Sequence, residues 1–185
     1  MQSEYAQAYR TLWERHWWWR SREAYVLSWV EHVRRLNRGP VRTLDVGCGD
    51  GLFFDRLSEF GPVDGLEPDA SLVTNPRWRG RIRVGALGTG DPLAREASDL
   101  VLLLDVIEHI RDERAAAGRR PFGVAAGGHA IVTVPALSWL WSRHDEVNEH
   151  HRRHDARSLR ESLNGAGFRV EAVRYFFAWT VGRSC

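Results

Sequence analysis

At 185 residues and 43% hydrophobic content, the chain has the length for one well-buried domain and is short for two. Its formal charge of +2 comes from 26 basic against 24 acidic residues, mixed along the sequence, so no electrostatic footprint for nucleic acid stands out. Every basic residue is arginine, and the lack of lysine excludes Walker A, Schiff-base and kinase-type phosphate chemistry.

Residues 2–19 carry Tyr5, Tyr9, Leu12 and His16 at helical steps, and the stripe Val26, Trp29, Val30, Val33 and Leu36 predicts a second helix over 22–37, stopped by Gly39 and Pro40. The first 40 residues therefore read as a helical extension of a single domain spanning 1–185. The run HWWW at 16–19 falls at the junction of the two helices, where its rings staple them to the fold or cover a cleft. A strand follows at 41–46, then glycines at 47, 49 and 51, then a helix over 50–60 with Asp50 as its N-cap. Further strands are predicted at 63–67, 81–86 and 99–104, the last an uninterrupted apolar run that suits a central strand covered on both faces.

The stretch VIEHIRDERAAA reads as a helix, whereas GRRPFGVAAGG at 118–128 holds four glycines and a proline and reads as a loop. A fifth strand at 129–134 ends at Pro135. Beyond it lie a histidine-rich polar segment, a short helix with Leu159 and Leu163, and an alternating strand at 168–175. Strands alternating with helices imply an α/β fold, a Rossmann-like, doubly wound, mainly parallel sheet with N-terminal helices and with ligands at the carboxyl ends of its strands. Cys48 and Cys185 supply neither a disulfide framework nor a zinc ligand set. With no signal-peptide pattern and no apolar run of about 18 residues, a soluble, cytoplasmic protein is expected.

Two cofactors compete for the strand, glycine turn, helix and downstream acid. A dinucleotide fingerprint needs its third glycine at the position of Leu52. Asp45, placed just before the turn, would repel a pyrophosphate but suits a ligand carrying an ammonium group, as S-adenosyl-L-methionine (SAM) does. Glu67, ending the second strand, stands where a carboxylate accepts ribose hydroxyls in either case.

LDVGCGDG with Glu67 resembles motif I and the ribose acid of class I SAM-dependent methyltransferases. LLLDVIEHI at 102–110, VTVPALSWLWSRHDEVNEHHRRH at 132–154 and the N-terminal HWWW resemble a bacterial subgroup acting on small molecules. That resemblance implies that the backbone from Gly47 through Cys48 to Gly49 lies against the methionine part of SAM with Asp45 near its ammonium. It further implies that Glu67 binds the ribose, Pro68 and Leu87 flank the adenine, and Asp105 faces the cofactor. Relative to the family, the chain departs at the glycine-rich 118–128 and in the absence of a last antiparallel strand from its pattern.

For the chemistry, His109 is the candidate general base, since it follows the fourth strand on the cleft side and imidazole titrates near neutral pH. Trp139 and Trp141 are expected to form an apolar wall of the acceptor pocket, with His144 and His150 in a polar lid over it. No metal is expected, a divalent ion held by Asp105, Glu108 and His109 being the minority alternative. The expected partner is a small-molecule methyl acceptor, with a non-catalytic SAM-fold binding protein as the rival reading.

Overall fold

The computed structural model describes residues 13, 15–87, 98–111 and 123–176. Of the helix predicted over 2–19 only residues 13 and 15–19 are described; the rest lies outside, as do 88–97, 112–122 and 177–185. Among the described residues no helix is long and apolar enough to cross a membrane.

Helix α1 runs Trp17–Asn37, five residues longer at its start than expected, so the tryptophan run forms its first turn rather than a junction. His16 is the N-cap: its ring accepts from the Trp18 N–H at 3.3 Å. Of the predicted stripe Val26, Val30 and Val33 are buried, with Leu27 beside them, whereas Trp29 is half-buried and Leu36 exposed. Arg22, one turn before Val26 and so on the same face, is buried with them.

Strands β1 (Thr43–Val46), β2 (Val63–Glu67), β3 (Ile82–Val84), β4 (Ser98–Leu104) and β5 (Val124–Thr133) form one sheet in the order β3-β2-β1-β4-β5, every pair parallel. This is the doubly wound, Rossmann-like arrangement expected. The strand order reverses between β1 and β4, where such sheets open a crevice beyond their carboxyl ends. From Leu100 to Leu104 strand β4 is apolar without interruption, and both its faces are covered. Leu100 and Leu102 pack with Val26, Val30, Phe54 and Leu57 on one side, and Val101 and Leu103 pack with Leu44, Val46, Leu66 and Leu163 on the other.

Three expectations are corrected. The helix after the glycine turn is reduced to α2, Phe54–Leu57, flanked by turns; its N-cap is Phe53, without a side-chain cap, and not Asp50. Part of the presumed loop at 118–128 is the start of β5, which begins at Val124. The glycines there serve an irregularity in the ladder: Ser98 pairs with Val124 and Leu100 with His129, so β5 carries extra residues. A Cβ on Gly128 would lie 2.9 Å from the Asp99 carbonyl oxygen, closer than a side chain tolerates. Residues 168–175 alternate like a strand but join no ladder. Phe168 and Val170 instead pack against the second core cluster as extended chain.

Between β5 and the last helix, α4 (Ala156–Gly165), lie a 3-10 turn at Ser138–Leu140 and the short α3, Arg143–Val147. A parallel bridge between Ala136 and His154 closes this excursion at its base.

Candidate functional site

The carboxyl ends of β1, β2, β4 and β5 open into one cleft of about 2410 Å³, completed by the first turns of α1 and by the excursion after β5. Pockets that bury one small ligand measure roughly 300–1,000 Å³, so the space accommodates a cofactor and an acceptor together.

At the end of β1 the backbone turns through Gly47, Gly49 and Gly51, all at positive φ. Gly47 has a second reason to lack a side chain, since a Cβ there would sit 2.9 Å from Val106 Cγ2. Its N–H donates to the Leu66 carbonyl at 2.8 Å, extending the β1–β2 ladder into the turn. Glu67 then fastens the turn: its Oε2 accepts from the Gly49 N–H at 2.8 Å and its Oε1 from the Asp69 N–H at 2.9 Å. Burial raises the Glu67 carboxyl above its ordinary value, with those two N–H donors opposing the rise. Each oxygen retains a second acceptor direction. Exposed Pro68 and half-buried Leu87 line the same side of the cleft.

Asp45 is 5% exposed and has no hydrogen-bond donor among the described residues. Burial pushes its carboxyl up to about 7; the Arg22 charge opposes the rise and Glu67 adds to it. Between the glycines, the Cys48 thiol is held high, first by burial and then by Asp45 and Glu67, which disfavours the thiolate.

Asp105, at the end of β4 with φ 57°, does reach the cleft, but held by partners that the sequence did not reveal. Arg22 Nη2 donates to Asp105 Oδ2 at 2.5 Å and to Thr133 Oγ1 at 2.9 Å, and Thr133 Oγ1 donates to Asp105 Oδ1 at 3.0 Å. The rings of Trp18 and Trp19 lie 5.7 and 5.4 Å from the guanidinium carbon. A buried arginine is rare unless paired; its spacing to Val26 and Val30 puts Arg22 on the buried face of α1, and the packing of α1 over β5 brings it to its partners at the strand ends.

The polar segment after β5 is a built unit. Asp145 is fully buried and accepts from Arg153 through two bonds, Nε at 2.7 Å and Nη2 at 2.8 Å, and from the Ser142 N–H at 2.9 Å. Its Oδ1 also lies 3.0 Å from His150 Nδ1. Burial pushes the Asp145 carboxyl up, but Arg153, His150 and Ser142 outweigh it and hold the group far below the usual range. The Ser142–Asp145 capping box was the one legible signal for it. Arg153 Nη1 donates to the Ala136 carbonyl at 3.1 Å, and the His151 N–H to the Glu108 carbonyl at 2.8 Å.

His109 and His150 meet edge to face, 4.8 Å between ring centres. Burial and the neighbouring His150 lower the His109 pKa. Since Asp145 engages His150 Nδ1, the other ring nitrogen is left to face its neighbours. Glu108, His109 and His150 bring ligand atoms within 4.8 Å of one another, near enough to share a divalent ion. The cluster replaces Asp105, which Arg22 holds, with His150. His144 is exposed and lines the cleft, its ring 6.3 Å from that of His150. Trp139 and Trp141 do not line the cleft: both are exposed, and the 3-10 turn that follows Leu137, at φ 64°, presents Leu137 and Leu140 to it instead. The tryptophans that do line it are Trp13, Trp18 and Trp19.

A family model described as a methyltransferase domain matches residues 18–173. Among curated proteins, a ubiquinone biosynthesis O-methyltransferase of Bradyrhizobium diazoefficiens is 33% identical over 134 residues, covering 65% of this chain and 49% of the relative. A second protein of that name, from Bradyrhizobium sp. (strain ORS 278), is 29% identical over 127 residues, covering 64% and 49%. The chain thus spans about half the length of these relatives. Among solved structures, a SAM-dependent methyltransferase from Thermotoga maritima, described as a possible histamine N-methyltransferase, aligns with a TM-score of 0.63 at 24% identity, over 90% of this chain and 79% of that one. Streptomyces venezuelae DesVI aligns at 0.61 and 19%, over 77% and 62%. A SAM-bound amino pentose methyltransferase from Micromonospora echinaspora aligns at 0.57 and 24%, over 77% and 60%. At these identities the structural likeness establishes the fold.

Proposed function

This chain belongs to the methyltransferase domain family, and from that premise we propose that it transfers the methyl group of SAM to a small-molecule acceptor. The observation that carries the reading is the glycine turn at the end of β1, fastened to Glu67 and set beside the buried carboxylate of Asp45, which has no donor among the described residues. In this reading the backbone at Gly47, Cys48 and Gly49 receives the methionine moiety, and Asp45, once ionised, meets its ammonium. Glu67 offers its remaining acceptor directions to the ribose hydroxyls, with Pro68 and Leu87 beside the adenine. Asp105, anchored by Arg22 and Thr133, borders the cofactor from the end of β4.

Methyl transfer from a sulfonium is an in-line displacement in which an acceptor lone pair forms the new bond to carbon as the carbon–sulfur bond breaks. The protein's work is alignment, exclusion of water and removal of the acceptor's proton. We assign that last task to His109, whose lowered pKa keeps the imidazole neutral and able to accept at physiological pH. His150, oriented by Asp145, and His144 contact the acceptor from the lid. The O-methylation named for the sequence relatives supports an oxygen acceptor, and a hydroxyl on an aromatic ring fits the Leu137, Leu140 and Val147 side of the cleft. The proximity of Glu108, His109 and His150 favours a second reading, in which they hold a divalent ion. Turnover that survives chelation assigns His109 to proton removal, whereas turnover lost to chelation and restored by a divalent cation assigns the cluster to ion binding.

A thermal-shift titration with SAM, S-adenosylhomocysteine and NAD tests the cofactor. At 100 times the dissociation constant a bound ligand stabilises by about 2.7 kcal/mol. SAM and S-adenosylhomocysteine are expected to raise the melting temperature and NAD to leave it unchanged. Glu67→Ala is expected to abolish the SAM effect in protein that still melts cooperatively. A folded wild type indifferent to both SAM ligands refutes the proposal.

A further inference from the structure

Resting on that reading, we infer that Asp145 is a positioning residue that holds the His150 ring proton on Nδ1, and that His150 Nε2 thereby selects methyl acceptors presenting a hydrogen-bond donor to it. An ionised carboxylate only accepts. Asp145 Oδ1 accepts from Arg153 Nε at 2.7 Å and lies 3.0 Å from His150 Nδ1, while Oδ2 accepts from Arg153 Nη2 at 2.8 Å and from the Ser142 N–H at 2.9 Å. With two partners at each oxygen, neither has a place for a proton. The ring nitrogen facing Oδ1 must therefore donate, which leaves Nε2 of the neutral imidazole as an acceptor.

The imidazoles at this end of the cleft differ in that respect. His109 meets His150 edge to face and makes no side-chain hydrogen bond among the described residues, so either of its nitrogens can carry the proton. The exposed ring of His144 has the Asn148 amide nitrogen 3.3 Å from its Nε2. His150 is the one tied to a fully buried carboxylate. Its ring lines the cleft and its Nε2 has no partner among the described residues, whereas Nε2 of His154 is buried.

A hydroxyl or amine brought against His150 Nε2 is satisfied there. An ether oxygen in the same place faces a lone pair and loses its water without gaining a bond, so a molecule with no donor is disfavoured, a fully methylated product included. His109 adds no such restriction, since it can donate or accept. The arrangement is stiff: Arg153 meets Asp145 through two bonds and is itself fixed on the Ala136 carbonyl.

Long-range proton–nitrogen NMR of 15N-labelled protein, at pH 8.5 and in EDTA to keep the rings free of metal, reads the tautomer directly; His150→Gln identifies the signal. Wild-type His150 is expected in the Nδ1–H form, and Asp145→Asn, whose amide both donates and accepts, to give a mixture. Phenol and anisole are then titrated into the S-adenosylhomocysteine complex and followed on the His150 signal. Wild type is expected to prefer phenol by about 10-fold or more, the worth of one hydrogen bond and the unpaired group its loss leaves. Followed on the cleft amides, that preference is expected to fall to about twofold or less in His150→Gln and Asp145→Asn. Should Asp145→Asn fold poorly, the wild-type tautomer and His150→Gln decide. A wild-type His150 in the Nε2–H form, or carrying both protons, overturns the positioning role. Equal affinities, or no binding of either probe, overturn the selection. S-adenosylhomocysteine that fails to raise the melting temperature refutes the methyltransferase reading separately, because the tautomer is read without cofactor.

Discussion

The side chain of Asp45 shows how far a single residue's chemistry is set by its surroundings. Its position before the glycine turn was readable from the sequence, and so was the argument that an acid there disfavours a pyrophosphate. Its protonation was not, because burial among β1, Arg22 and Glu67 is a property of the packed sheet. With its carboxyl raised to about 7, the native state holds the proton more tightly than an unfolded aspartate titrating near about 3.9. The stability this proton confers is complete at low pH and is lost as pH rises from about 4 to about 7. Asp45→Asn is therefore expected to be the more stable protein at pH 8 and to remove that decline, as urea denaturation at pH 5 and pH 8 can measure. For the cofactor the sign reverses: S-adenosylhomocysteine is expected to bind wild type more tightly as Asp45 ionises between pH 6 and pH 8, and Asp45→Asn weakly at both. An unchanged pH slope in the variant would remove Asp45 from the site.

Among the elements, the segment from Ala136 to Asp155 differs most from its sequence pattern. The sequence pattern predicts a polar lid with two tryptophans turned toward the cleft, whereas the tryptophans are exposed and Asp145 is buried with His150 and Arg153 closed on it. The reason is pairwise geometry: a carboxylate, a guanidinium eight residues on and an imidazole between them satisfy one another only when the chain folds back on itself. Removing one partner of a buried ion pair costs about 3–5 kcal/mol, so Asp145→Leu is expected to loosen this segment by that order. Hydrogen exchange should quicken at the amides of His150, His151 and His154, which donate to Asp145, Glu108 and Pro135, with much less change in β1 and β4. Because the Asp145 carboxyl is held low, its contribution is present at neutral pH and is lost on acidification below about pH 4. The same limit of local reading applies to β5, where glycines that argue against a helix also fit a strand with an irregular ladder.

For the molecule as a whole, one helix serves both the core and the cleft. Val26, Val30 and Val33 of α1 lie against β4 and α2, and Arg22, one turn earlier, closes on Asp105 and Thr133. Weakening the core contact is thus a test of how site and fold are coupled. Val30 is fully buried, and Val30→Ala is expected to cost about 1–3 kcal/mol in urea denaturation. Its affinity for S-adenosylhomocysteine should remain within about twofold in the folded protein, since additivity holds for sites without shared partners. A large loss of affinity would mean that α1 is seated too loosely to hold Arg22.

The sequence by itself determined the parallel sheet, the cleft end of it and the backbone that bounds it. Those features rest on local facts: apolar runs of strand length, a glycine turn between Asp45 and Leu52, and an acid ending the second strand. Only the tertiary structure decided which charges meet there. Arg22 and Asp105 are 83 residues apart, Arg22 and Thr133 are 111 apart, and Glu108 and His150 come from different excursions beyond the sheet. Periodicity reports which face of an element is buried; the pairing of buried charges depends on how whole elements cross, which no stretch of this chain encodes alone.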